Sequence, residues 1–261
     1  MPLALFGVLW LDLIRQLSYQ WSTNEQYSYG WFVPFFALGL LWRRHACRPA
    51  PWPVAAPAWL TVFVAMLAGA LLPARVVHEA NPDWPPCSWL LAFSVVGISL
   101  YAVFITGGWA WTRHFAFPIC FILVAVRWPY RIEHGFTQGL MHAVAAVTVQ
   151  VLSWLDVMAF QRGNLIELST GVVGINEACS GIRSFQSTLM GAIFLGELYR
   201  LRWPWRVLLL VCGAALACCF NVIRTFALTW QASSEGIGAV EKWHNTAGLT
   251  IFFLCFICLW L

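Results

Sequence analysis

The sequence predicts an all-α, polytopic membrane protein with about eight membrane helices, and three observations carry that expectation. The apolar set AVILMFWYC makes up 61% of 261 residues, well above the roughly 45–50% apolar content of a soluble chain on a similar tally. The 15 basic and 11 acidic residues are too few to cover a 29.4 kDa body with the roughly 25–35% charged surface that water demands. The apolar residues also gather into runs of the length a helix needs to cross lipid, about 20 residues at 1.5 Å each.

The expected spans are roughly 2–17, 31–42, 57–74, 88–108, 115–128, 180–199, 206–230 and 246–261. The run at 31–42 is short and extends outward through Tyr27–Gly30. The run at 115–128 stops at Trp128-Pro129, where the proline disfavours helix in the residue before it. A ninth segment, 135–158, has helical period but moderate apolarity, and reads as half-inserted or packed among other helices. Residues 163–178 differ from their surroundings: Leu165–Leu168 and Val172–Ile175 are short β-prone runs joined by Ser-Thr-Gly, a small extracytoplasmic hairpin. All 261 residues are read as one integral membrane domain with no separate soluble domain and no cleavable signal peptide.

Net charge is +4, but it comes from short Arg clusters and a single lysine, Lys242. That pattern argues against nucleic-acid binding. Arg43, Arg44 and Arg48, together with Arg200, Arg202 and Arg206, are placed in the cytoplasm with Arg113. The loops around 18–30, 75–87, 129–134, 159–179 and 231–245 then face away from it. Of the nine cysteines most sit in apolar runs as small hydrophobes. The Cys255–Cys258 pair lacks a second ligand pair, so neither a metal nor another cofactor is expected.

Cys179 is the exception. It belongs to the polar, glycine-bearing stretch Asn176 to Ser184 that opens the sixth expected span. A thiol at a helix N-terminus meets the positive end of the macrodipole, which favours the thiolate. Free N–H groups of Ser180 and Gly181 could serve a developing oxyanion. A capped helix start with an inert buried Cys is the plainer reading of the same residues.

Arg224 lies inside the apolar run CCFNVIRTFALTW, where an unpaired arginine costs roughly 2.5–3.5 kcal/mol on insertion scales. Asn221 shares its helix face three residues earlier and could orient the guanidinium. The alternative is an arginine snorkelling to the interface. His244 stands at the entry to the last span, where an imidazole could take a thiol proton and return it to a leaving amine. The three residues come from three helices, all expected near one membrane face.

Glu177-Ala178-Cys179-Ser180-Gly181-Ile182-Arg183-Ser184, Asn221-Val222-Ile223-Arg224 and His244-Asn245-Thr246-Ala247-Gly248 resemble the three signature blocks of the exosortase/archaeosortase family. Trp21 to Pro34 and Gly163 to Ile166 resemble further family stretches, with Tyr29 where many relatives have His. The resemblance implies a membrane cysteine transpeptidase of the cytoplasmic (inner) membrane with its active site on the extracytoplasmic face. Its partners would be exported proteins whose C-terminal sorting signals combine a PEP-CTERM-like motif, a transmembrane helix and a basic tail. The acceptor of the cleaved chain would be an exopolysaccharide or a lipid. By motif match Cys179 is the nucleophile, Arg224 the oxyanion stabiliser and His244 the general acid/base, with Glu177, Ser180, Gly181, Arg183 and Asn221 assigned to substrate binding. Two rivals remain at this point: a transporter or channel binding an anionic solute at Arg224, and a thiol-dependent membrane acyltransferase.

Overall fold

The computed structural model describes residues 2–174, 181–236 and 238, and positions 250, 253–255, 257, 258 and 260 of the last segment. The chain forms two compact units, Met1–Tyr130 and Arg131–Leu261.

In the first unit, α1 (Pro2–Thr23) buries Leu13, Gln16, Leu17, Gln20 and Trp21, a stripe at helical spacing, and turns Val8 and Leu11 outward. Apolar outside and partly polar inside is the pattern expected where lipid is the solvent, since the hydrophobic effect no longer drives one helix onto another. After α1, Asn24 caps a 3-10 turn over Glu25–Phe32 through its side chain, and this turn runs directly into α2 (Val33–Ala46) with Pro34 in its first turn.

The Trp21–Pro34 stretch is a packing device. Trp21 Nε1 donates to the Ala125 carbonyl at 2.9 Å, Tyr29 Oη to that of Val124 at 3.0 Å, and the Trp128 backbone N–H to Tyr27 Oη at 2.9 Å. Gly30 lies so close to the Trp21 indole that a Cβ there would collide with the ring. Tyr29 is therefore buried in the fold by a bond of its own hydroxyl.

Helix α3 (Ala58–Ala80) packs on α4 (Pro85–Cys120). A straight helix of 36 residues would run about 54 Å. Yet Trp89 near the start of α4 donates through Nε1 to the carbonyl of Arg127, just past its end, at 2.8 Å. The chain must double back, and it does so at Gly107–Gly108, where Gly108 takes φ 66° and ψ −163°. A side chain at Gly108 would be strained by that φ and would press on the Trp52 carbonyl at 3.1 Å. The linker between α2 and α3 is tied to this turn by Val54 N–H to the Ile105 carbonyl and by Trp111 Nε1 to that of Pro49.

The second unit begins with α5 (Tyr130–Trp154) and a three-stranded antiparallel sheet in the order β1 (Ala159–Arg162), β2 (Leu165–Leu168), β3 (Gly171–Gly174). The expected hairpin is present as β2 and β3, in the register Ile166 opposite Val173. It gains β1, whose run Ala-Phe-Gln-Arg carries no β-branched residue and so gave no strand signal. Ile166 is fully buried against Met141, Val144 and Ala145, one face of α5 at three- and four-residue spacing. The segment expected at 135–158 thus falls on α5, which ends at Trp154 and packs under the sheet. A hairpin of α6 (Ile182–Leu198) and α7 (Trp203–Glu235) completes the described part. At its turn the buried Glu197 carboxylate meets Arg206 Nη1 at 2.8 Å.

The expectation of about eight spans is not supported. Among the described residues four helical stretches are long and apolar enough to cross a membrane: Ala58–Ala80, Pro85–Ala125, Tyr130–Trp154 and Trp203–Glu235. The expected first span carries Asp12, Arg15 and Gln16 on α1, and Gln20 follows on the same helix, all of which lower its hydropathy. The expected second and sixth are helices of 14 and 17 residues, about 21 and 25 Å, short of a hydrocarbon core of about 30 Å. The expected spans at 88–108 and 115–128 fall on one stretch that reverses at Gly108. The expected span at 246–261 falls largely outside the described residues.

Candidate active site

The site builds outward from Gly181, the residue before α6. Its φ of 78° is left-handed, which costs an L side chain roughly 1–2 kcal/mol. A Cβ there would also run into the side chain of Asn221 on α7. Glycine is thus required twice, for its backbone and for the close approach of the two helices.

That approach fits the arithmetic of the hairpin. From Gly181 to the turn is the 17-residue length of α6, about 25 Å, and Asn221 lies 18 residues into α7, about 27 Å. The two levels match. Arg224 follows Asn221 by three residues on the same face, so it lies one turn nearer the end from which the chain enters α6.

Both α7 residues point inward. Asn221 is 3% and Arg224 7% exposed, in a buried stripe with Ala217, Thr225, Leu228 and Ala232. Apolar residues fill the other side of the helix, with Ile223 and Val211 exposed. Under Gly181 and Asn221 a small gap is closed by Leu140 and Val144 of α5 and Phe185 of α6. Phe136 of α5 packs on Phe185 with ring centroids 5.0 Å apart.

Of the other residues singled out in the sequence, Arg183 is exposed on α6. Glu177, Cys179, Ser180 and His244 lie outside the described residues. The structure therefore brings Gly181 and Asn221 into contact and buries Arg224 beside them.

Sequence reasoning passed over Gln186. It is 3% exposed on α6, and among the described residues neither its amide oxygen nor its amide nitrogen has a hydrogen-bond partner. Such a group costs roughly 1–3 kcal/mol unless something polar meets it. Its signal was available as an uncharged amide amid the small, hydroxyl and apolar residues between Arg183 and Glu197. Among the described residues no three His, Cys, Asp or Glu side chains gather as metal ligands would.

Replacing Gly181 by alanine tests the contact. Strain plus overpacking should cost about 2–4 kcal/mol locally, and α6 should separate from Asn221. The expected result is a membrane-inserted protein with at least tenfold lower activity. A spin-label pair on α6 and α7 should show the wider spacing. Unchanged spacing with unchanged activity would mean that the approach is incidental.

Long apolar helices with polar and charged side chains turned inward define a helical integral membrane protein. The chain matches the family model described as Transmembrane exosortase (Exosortase_EpsH) over residues 21–261, and so it belongs to the exosortase family. No curated protein and no solved structure matches it.

Proposed function

We propose that this chain is a membrane-embedded cysteine transpeptidase. It cleaves exported proteins at C-terminal sorting signals made of a PEP-CTERM-like motif, a transmembrane helix and a basic tail, at the extracytoplasmic face of the cytoplasmic membrane. Family membership supports the reading. The observation that carries it is the contact of Gly181 with Asn221, which joins the block containing Cys179 to the block containing Arg224.

The chemistry follows from the residue types. The Cys179 thiolate attacks the scissile carbonyl, and negative charge moves to the carbonyl oxygen. The Arg224 guanidinium, held in a buried setting, donates hydrogen bonds to that oxyanion where a low dielectric makes them strong. His244 holds the thiol proton and delivers it to the departing amine as the C–N bond breaks. A thioester of Cys179 with the new C-terminus remains. An acceptor nucleophile, on an exopolysaccharide or a lipid, attacks it, loses its proton to His244 and frees the thiolate. Water in the acceptor's place gives plain hydrolysis. Gln186 and Asn221 supply amides for the polar backbone of a bound signal.

The test uses a reporter protein ending in such a signal and a C-terminal tag, co-expressed with this chain in intact cells. The tag should be lost, and a reporter–enzyme adduct that hydroxylamine releases should accumulate when acceptor is limiting. A membrane-impermeant maleimide should reach Cys179 from the extracytoplasmic side, and cysteines placed near Arg43 or Arg202 only after permeabilisation. A reporter that keeps its tag and forms no adduct would favour the transporter reading instead.

A further inference from the structure

The first unit contains a polar cluster to which the proposed transpeptidation gives no role. Leu9, Asp12, Leu13 and Gln16 follow one another at three- and four-residue spacing on α1 and line a cavity of about 100 Å³ closed by α3 and α4. Its walls are mostly leucine and valine, yet Asp12 Oδ1 meets Arg75 Nη1 there at 3.3 Å. Gln16 Nε2 donates to the other Asp12 oxygen at 3.1 Å, and Arg75 Nε to Glu79 Oε1 at 3.3 Å.

The depth of this cluster can be read along the helices. Gln20 Nε2 donates to the Pro82 carbonyl at 2.9 Å, so Gln20 marks the level of the α3–α4 loop. Asp12, eight residues earlier on α1, is about 12 Å away along the axis. Arg75 is five residues, about 7.5 Å, from the end of α3 at Ala80. The pair thus lies one to two turns inside the helix ends. Around it Leu11, Leu72 and Val76 are exposed, a surface suited to hydrocarbon.

An ion pair in that setting would be closed off or covered, because charge facing lipid is costly. It is neither: the Asp12 side chain is 30% and that of Arg75 41% exposed. Two carboxylates share one guanidinium, so the cluster is net negative. Arg75 spends Nη1 and Nε on them, which leaves the Nη2 protons for a further acceptor. A matching ligand offers an anionic oxygen to Nη2, N–H donors to the carboxylates, and hydrocarbon to the leucines. A soluble phosphate meets only the first requirement, and an anionic lipid is repelled by the surplus negative charge.

We propose that the α1–α3–α4 cavity binds a zwitterionic phospholipid with a primary ammonium, its phosphate on Arg75, its ammonium at Asp12 and Glu79, and its chain along Leu9 and Leu72. A choline headgroup carries the same charges but no N–H donor, so it binds more weakly.

Native mass spectrometry of the delipidated full-length protein, titrated with phosphatidylethanolamine, phosphatidylcholine and phosphatidylglycerol of identical chains, tests this. One phosphatidylethanolamine should bind at least about fivefold more tightly than either of the others. Arg75→Gln should lower its affinity about tenfold, the size expected for one charge-assisted contact. Glu79→Gln, at a site whose side chain is 65% exposed and tolerant of change, should narrow the gap to phosphatidylglycerol. Glycerophosphoethanolamine at millimolar concentration should not displace the lipid. Equal retention of the three lipids by the unaltered protein would overturn the proposal. So would an unchanged preference in both variants, or displacement by the soluble headgroup alone.

Discussion

Cys179→Ala is expected to abolish processing of a signal-bearing reporter while the protein still inserts and accumulates. Without a thiolate there is no acyl-enzyme, and losing a nucleophile from a concerted site lowers turnover by at least about 10⁴-fold. The same exchange at Cys212, Cys218, Cys219, Cys255 or Cys258 should leave activity near normal. Those residues lie in apolar segments, where cysteine serves as a small hydrophobe, and Cys212, Cys219 and Cys258 are exposed. Cys179 instead lies two residues before Gly181, where α6 begins. Pulse–chase analysis of the reporter with each variant is the measurement. Full processing by Cys179→Ala would end the nucleophile assignment, and loss at one of the others would move it.

Arg224→Lys is expected to lower processing by roughly 100- to 1000-fold, the usual cost of removing one oxyanion donor. The substitution keeps the charge, so it separates charge balance from hydrogen-bond geometry. A guanidinium presents a planar fork of fixed donors, whereas an ammonium is one point charge on a flexible stem. The structure sharpens the contrast. Arg224 is 7% exposed, in the stripe that also buries Asn221 and Thr225, so its head does not reach for the interface as a snorkelling arginine would. The variant should still reach the membrane and still react at Cys179 with small thiol reagents. If it processes the reporter at a near-normal rate, the oxyanion must be held by backbone N–H groups at the start of α6.

Two levels of the architecture differ in how far they could be read from residue order. Helices over 58–80, 130–154 and 203–235 are legible because apolar runs of that length in a weakly charged chain have few alternatives. The β2–β3 hairpin was legible for an equally local reason, β-branched runs around a Ser-Thr-Gly turn, whereas α4 ends at Cys120 and its 3-10 turn at Ala125, ahead of the break expected at Trp128-Pro129. Strand β1 was not, because Ala159–Arg162 pairs through register with β2 and not through propensity of its own. The count of spans failed where polar groups and chain length interfere. Asp12 on α1 pairs with Arg75 on α3, and Gln16 and Gln186 are buried among neighbouring helices, a circumstance that a hydropathy window does not include.

At the candidate site the division is sharper. Residue order alone singles out Arg224, because a charge in an apolar run is costly wherever the chain goes, and Cys179 and His244 as reactive types at expected helix entries. Pairing is another matter. That Gly181 receives the Asn221 side chain depends on the matching distances of the two residues from the α6–α7 turn, on the left-handed φ at Gly181 and on the absence of a Cβ there. The same holds for Asp12 and Arg75, which are 63 positions apart and meet only because α1 and α3 lie side by side. Local chemistry is written in the one-dimensional pattern because it concerns each residue and its solvent. Contacts between distant helices arise from packing geometry, which single-residue patterns do not encode.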